Sequence, residues 1–128
     1  MPVPAHLFVI LGGTGDLAAR KLLPALSHVL KDGASCEILA VGTKPFDDAS
    51  YRTWARERLE EAGVTETDGW CERLHYQRIE RNGFDLAPVG SRIQDLEAEF
   101  DLGGNQCFYL ALPPQLFEPA LRSIGEQR

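Results

Sequence analysis

A glycine-rich turn between a strand and a helix is the part of this sequence best suited to chemistry on an anion. The apolar run Leu7–Leu11 predicts a strand buried on both faces, and helical spacing begins near Leu17. Amide groups at a helix start point toward an anion, and the helix dipole favours negative charge there. The turn therefore predicts a pyrophosphate site, with a ligand-free glycine turn as the alternative. Its residues are Gly12, Gly13, Thr14, Gly15, Asp16 and Leu17.

Individual residue types in this turn fit separate physical roles. Gly12 allows a sharp exit from the strand, and Gly15 allows the backbone to approach a pyrophosphate without a Cβ in the way. Ala18 stands where a dinucleotide fingerprint usually has its third glycine, and it is small enough for close helix–strand packing. Asp16 would repel a pyrophosphate, so we expect its carboxylate to cap the new helix instead.

The residues after the second predicted strand bear on which nicotinamide cofactor would bind. An acid at this point accepts hydrogen bonds from a free ribose 2′-hydroxyl, whereas a cation accommodates a 2′-phosphate. The chain has Thr43 and Lys44 here. Their hydroxyl and ammonium favour NADP, while NAD stays possible because the alternative interpretation of Lys44 is a solvated loop residue. Asp47 and Asp48 come later and fit a helix N-cap better.

Composition limits the class of protein. The chain has 128 residues, is 44% apolar and carries a formal charge of −6, which argues against nucleic acid and anionic membranes as partners. Its three cysteines, Cys36, Cys71 and Cys107, show neither metal-ligand nor disulfide spacing. No apolar run is long enough to cross a membrane, and no secretory signal precedes the first strand. We therefore expect a cytoplasmic protein without a metal site.

Strands and helices alternate along the whole sequence. Strands are predicted over 6–11, 37–43, 74–79 and 106–112, the last of them as a buried strand. Helices are predicted over 15–32, 48–62, 87–100 and 116–126, with Pro24 a possible kink in the first. This order predicts an α/β fold: a Rossmann-like, doubly wound parallel sheet in a three-layer αβα arrangement. Ligands of such sheets bind beyond the carboxyl ends of the strands.

Three blocks of the sequence together are more specific than a generic dinucleotide fingerprint. They are Phe8–Leu26, Ala40–Thr43 and Phe108–Glu118, and the first contains the string G-x-x-G-D-L-A-x-x-K-L-x-P. In order and spacing they resemble the coenzyme domain of the glucose-6-phosphate dehydrogenase family. The resemblance implies oxidation of glucose 6-phosphate at C1 to 6-phosphogluconolactone, a step of the pentose phosphate pathway, with NADP or, in some members, NAD as hydride acceptor.

The same resemblance implies roles for individual residues. It places the pyrophosphate at Gly12–Leu17, with Thr14 near the adenosine phosphate, and it directs Lys21 toward the sugar-phosphate pocket. Pro45 stands where the family commonly has an arginine that pairs with the 2′-phosphate, so Lys44 is the nearest cation and offers only a point charge. Four further residues would line the path to the nicotinamide: Tyr109, Ala111, Leu112 and Pro113.

Two segments of the family are missing from this sequence, E-K-P-F-G and R-I-D-H-Y-L-G-K-E, which carry the substrate-gripping lysine and the histidine base. His6, His28 and His75 are not expected to replace that base. We therefore expect residues 1–128 to be an NADP-binding domain without its C-terminal catalytic domain, inactive alone, and part of a homo-oligomer. The alternatives are a stand-alone nucleotide-binding module and a small short-chain-type reductase, although the latter's Tyr-x-x-x-Lys pair does not occur.

Overall fold

The computed structural model describes six segments of the chain: residues 6–13, 21–30, 36–64, 71–79, 87–100 and 106–110. Four strands and three helices lie within them and alternate along the sequence. The strands are β1 (His6–Leu11), β2 (Cys36–Gly42), β3 (Leu74–Arg78) and β4 (Gln106–Leu110). The helices are α1 (Leu23–Leu30), α2 (Asp48–Glu61) and α3 (Ala87–Phe100).

The four strands form one parallel sheet in the order β3-β2-β1-β4. β1 therefore lies inside the sheet, and the chain crosses over after β3 to add β4 on the other side of β1. This order, with helices between successive strands, is the doubly wound arrangement that the sequence predicts.

Each face of the sheet has its own apolar core, and the alternation along β1 divides them. Phe8 and Ile10 pack on the face covered by α1 and α2, whereas Leu7, Val9 and Leu11 pack on the face covered by α3. All five side chains are buried. The apolar run therefore reflects burial on both faces, and the three-layer prediction is confirmed.

The last residues of helices α1 and α2 lie close to the predicted helix ends. α1 lies within the predicted 15–32, and residues 21–22 directly before it form a wider, π-helical turn. Pro24 therefore stands next to a local irregularity of the helix, as expected for a proline within a helical segment. α2 begins after Asp47, whose carboxylate accepts from the Ser50 amide at 2.8 Å, while the Ser50 hydroxyl accepts from the Asp47 amide at 2.9 Å. This capping box confirms the expected N-cap. Residues 15–20 and the helix predicted over 116–126 lie outside the described residues.

Strand β4 corrects the prediction of a buried strand. Gln106 and Cys107 are exposed, and Phe108 and Tyr109 are only half-buried. β4 is last in the strand order, so within the described sheet only its β1-facing edge is paired. An apolar run predicts a strand without revealing whether that strand lies at the centre or at the edge. Among the helices that the structure describes, none is long and apolar enough to span a membrane.

Candidate functional site

Parallel pairing brings the three predicted cofactor segments to one edge of the sheet. Leu11 is in register with Val41 on one side and with Leu110 on the other. The carboxyl ends of β1, β2 and β4 are therefore neighbours. The glycine turn follows β1, Thr43 and Lys44 follow β2, and Tyr109 lies near the end of β4. This carboxyl edge is where a doubly wound sheet binds its ligand.

The first two residues of the glycine turn are fastened to β2. The amides of Gly12 and Gly13 both donate to the Val41 carbonyl, at 2.9 and 3.0 Å. Gly12 has a φ of 91°, a conformation that residues with a Cβ rarely adopt. The sharp exit that the sequence predicts at Gly12 is therefore confirmed.

Close approach of the turn to β2 gives Gly13 a role that sequence reasoning missed. A Cβ on Gly13 would lie 2.5 Å from the Ala40 Cβ, closer than real Cβ atoms approach, and 3.1 Å from the Ala40 Cα, which is a tight contact. Only glycine therefore lets the turn lie this close to Ala40 of β2. The signal in the sequence was the pairing of two small residues, Gly13 and Ala40, whose contact depends on a strand order that the sequence alone does not state.

The loop after β2 is a tight turn built on Pro45. The Phe46 amide donates to the Lys44 carbonyl at 2.9 Å, which closes a three-residue turn around the proline. Proline holds φ at about −65°, close to what such a turn requires at its centre. The same Lys44 carbonyl also accepts from the Tyr76 hydroxyl at 2.8 Å. Pro45 thus fixes the backbone that carries Lys44, while the Lys44 side chain is exposed.

An aromatic cluster of Phe46, Tyr51, Trp54 and Tyr76 lies beneath both segments. The rings of Tyr51 and Tyr76 stack at 5.0 Å between centroids, and Phe46 packs edge-on against each of them, at 6.1 and 5.7 Å. The Tyr51 hydroxyl donates to the Gly13 carbonyl at 2.8 Å. Burial raises the pKa of both phenols, that of Tyr76 to about 12, so both stay protonated donors at neutral pH.

Arg78 is a second cation at this edge, and sequence reasoning did not select it. It ends β3, is in register with Gly42 at the end of β2, and is exposed. Its positive charge acts on the Tyr76 phenol and opposes the effect of burial on that group's pKa. Because Arg78 is far from Lys44 in sequence, only the β2–β3 pairing shows that two cations flank the end of β2.

The remaining candidates occupy different positions. Tyr109 is half-buried and stacks on Phe8 at 5.8 Å between centroids, next to the end of β1. Lys21 is exposed, just before α1. Seven predicted site residues lie outside the described residues, namely Thr14, Gly15, Asp16, Leu17, Ala111, Leu112 and Pro113, and their roles stay predictions.

Comparison with known proteins identifies the family. The family described as "Glucose-6-phosphate dehydrogenase, NAD binding domain" matches residues 9–128. This chain belongs to that family. A glucose-6-phosphate 1-dehydrogenase of Mycolicibacterium smegmatis is 37% identical over 139 residues, which cover 98% of this chain and 27% of that protein. One of Chlamydia pneumoniae is 31% identical over 134 residues, covering 98% and 26%. The chain thus spans about a quarter of the length of these relatives.

Solved glucose-6-phosphate dehydrogenases share the fold. One, in complex with its substrate glucose-6-phosphate, superposes with a TM-score of 0.80 at 21% identity, over 99% of this chain and 29% of that one. The enzyme from Mycobacterium avium gives a TM-score of 0.76 at 24% identity, over 97% and 27%. The Rossmann-like architecture of this glucose-6-phosphate dehydrogenase family member is therefore that of its solved relatives.

His75 is held by side-chain contacts inside the fold of this member of the glucose-6-phosphate dehydrogenase family. It is buried in β3, with Nε2 2.9 Å from Glu37 Oε1 and Nδ1 4.0 Å from Asp48 Oδ2. The ring also packs on Phe100 at 5.5 Å between centroids. The His75 ring is therefore held between two carboxylates within the fold.

Proposed function

We propose that this chain is the dinucleotide-binding part of a glucose-6-phosphate 1-dehydrogenase, which passes a hydride from C1 of glucose 6-phosphate to a nicotinamide cofactor. The observation that carries the proposal is the convergence of the glycine turn, the Lys44 loop and Tyr109 at the carboxyl edge of a parallel sheet. The description of the family as an NAD binding domain supports a nicotinamide dinucleotide as the class of cofactor. Within this edge, the pyrophosphate faces Gly12–Leu17, and the nicotinamide extends past Tyr109 toward Ala111–Pro113.

NADP is the favoured form of the cofactor. Lys44 and Arg78 are both exposed beside the end of β2, where a 2′-phosphate would lie. Asp47, the first acid after β2, is engaged by Ser50 as a helix cap. Since its carboxylate is committed to α2, it is a poor acceptor for a free 2′-hydroxyl, which is the group that marks NAD.

Substrate contact and catalysis complete the proposal. Lys21 directs its ammonium toward the phosphate of glucose 6-phosphate, and the base that takes the C1 hydroxyl proton comes from a segment not in this sequence. The chain alone is expected to bind cofactor without oxidising the sugar. In the whole enzyme it works within a homo-oligomer.

Calorimetric titration of the chain with NADP and NAD tests the glycine turn. Gly15→Asp adds bulk and negative charge where the pyrophosphate would lie, so binding of both cofactors should disappear. Gly63→Asp is the matched control, because Gly63 has an open environment and a φ of +84°, which aspartate tolerates better than most residues. Unchanged affinity in Gly15→Asp, or equal losses in both variants, would exclude the proposed turn.

The same titration tests the preference for NADP. A hydrogen-bonded charge contact is worth roughly 1.5–3 kcal/mol, so Lys44→Ala should weaken NADP binding about tenfold or more and leave NAD nearly untouched. Arg78→Ala should act in the same direction. Equal losses for both cofactors would show that these cations do not read the 2′-phosphate.

A further inference from the structure

Two hydroxyl groups from one aromatic cluster each fix a different cofactor segment. Tyr51 donates to the Gly13 carbonyl in the glycine turn, and Tyr76 donates to the Lys44 carbonyl after β2, both at 2.8 Å. The two rings stack on one another, so the two segments are joined through a single rigid pair of side chains. Neither hydrogen bond is needed to form a helix or a strand, since both carbonyls belong to turns.

We propose that Tyr51 and Tyr76 are positioning residues for the dinucleotide: Tyr51 sets the glycine turn against the pyrophosphate, and Tyr76 sets Lys44 against the 2′-phosphate. This inference rests on the proposed function. Neither role requires contact between the tyrosine and the cofactor, because each tyrosine acts through the backbone carbonyl to which it donates.

Burial makes these hydrogen bonds hard to replace. Tyr51 is fully buried and Tyr76 is 3% exposed, so water has little access to either hydroxyl. Removal of the Tyr51 oxygen leaves the Gly13 carbonyl without that donor inside the fold, and the turn then gains freedom to move away from β2. Lys44 keeps the Phe46 amide as a second partner, so the loop persists while its position loosens.

The two cofactors separate the two roles. NAD and NADP share the pyrophosphate, whereas only NADP has the 2′-phosphate. Displacement of the glycine turn should therefore weaken both cofactors by the same factor. Displacement of Lys44 should weaken NADP alone, which a general loss of stability would not do.

Phenylalanine variants remove the hydroxyls and keep the rings. NADP and NAD are titrated into the chain as Tyr51→Phe, Tyr76→Phe and the control Trp54→Phe, each well below its unfolding midpoint measured by circular dichroism. Trp54 packs against Phe46 and Tyr51 in the same cluster but has no hydroxyl. One hydrogen bond corresponds to about a fivefold change in affinity. Tyr51→Phe should lose that factor for both cofactors, Tyr76→Phe for NADP alone, and Trp54→Phe for neither.

Each other outcome has a defined meaning. If Tyr76→Phe leaves the ratio of NADP to NAD affinity unchanged, or if Trp54→Phe shifts it as much, the positioning role is wrong. If Tyr51→Phe is not folded under any assay condition, the ratio in Tyr76→Phe decides alone. If the unaltered chain binds neither cofactor, the proposed function has failed, which differs from a chain that binds both and ignores the variants.

Discussion

The contact of Gly13 with Ala40 sets how closely the glycine turn can approach the sheet. Because an added Cβ would lie 2.5 Å from the Ala40 Cβ, Gly13→Ala must push the turn away from β2. Overpacking of this kind costs about 1–3 kcal/mol, which urea denaturation would measure. Ala40→Gly removes the opposing atom, so the double variant Gly13→Ala/Ala40→Gly should lose less stability than the sum of the two single variants. Strict additivity would show that the two residues do not collide.

At the residue scale, the sequence revealed roles that depend on neighbours in the chain. The sharp turn at Gly12 and the helix cap at Asp47 follow from local patterns, and both are confirmed. The hydroxyl of Tyr51 was not predicted, because the spacing of α2 shows only that its ring is apolar and inward-facing. Its acceptor, the Gly13 carbonyl, lies 38 residues earlier, and only the folded sheet brings the two together.

Asp48 connects three elements at the start of α2. Its carboxylate accepts from the Tyr76 amide of β3 at 2.8 Å and from the Arg92 guanidinium of α3 at 2.6 Å. Partial burial alone would raise the pKa of Asp48, but these two hydrogen bonds and the nearby His75 outweigh it and hold the pKa below its usual value. A lowered carboxyl pKa stabilises the fold above the unfolded value of about 4, and the stabilisation is lost as pH falls through the folded value.

Asp48→Asn should therefore reduce the acid sensitivity of the fold. At pH 7 the variant should be less stable by about 1–2 kcal/mol, because a charge-assisted hydrogen bond is lost. Its further loss of stability between pH 7 and pH 3, measured by urea denaturation, should be smaller than that of the unaltered chain. Asp95→Asn, at an exposed position of α3, has the same change in charge and serves as the control. Parallel pH profiles for all three proteins would contradict the role of Asp48.

At the element scale, prediction worked where a pattern was long and its ends were marked. The limits of α3 match the prediction at both ends, and those of α2 fall within a residue of it, because periodic apolar residues and a strong cap define them. β2 is shifted by one residue, since strand ends depend on pairing. The prediction that β4 is buried was wrong, because β4 is last in the strand order of the described sheet and an apolar run does not specify that position.

At the scale of the whole molecule, the three cysteines differ in solvent exposure according to their place relative to the sheet. Cys36 and Cys71 are 1% exposed, whereas Cys107 is exposed on β4, and none of the three forms a disulfide. The sequence established the alternating α/β order, which the described elements confirm. The accessibility of the Cys36 and Cys71 thiols therefore reports on global unfolding, whereas that of Cys107 reports on β4 at the edge of the described sheet.

Thiol labelling should separate these positions and respond to cofactor in a specific way. A thiol reagent should modify Cys107 rapidly in the native chain, and Cys36 and Cys71 only after unfolding. A ligand at 100 times its Kd stabilises the folded state by about 2.7 kcal/mol, so NADP should slow labelling of the two buried thiols about 100-fold. Cys107 lies in the amino-terminal half of β4, away from the carboxyl edge that would hold the cofactor, so its labelling rate should not change.

Labelling of all three thiols at one rate would contradict the burial of Cys36 and Cys71. Protection of Cys107 by NADP, with the other two unaffected, would place the cofactor at the opposite end of the sheet.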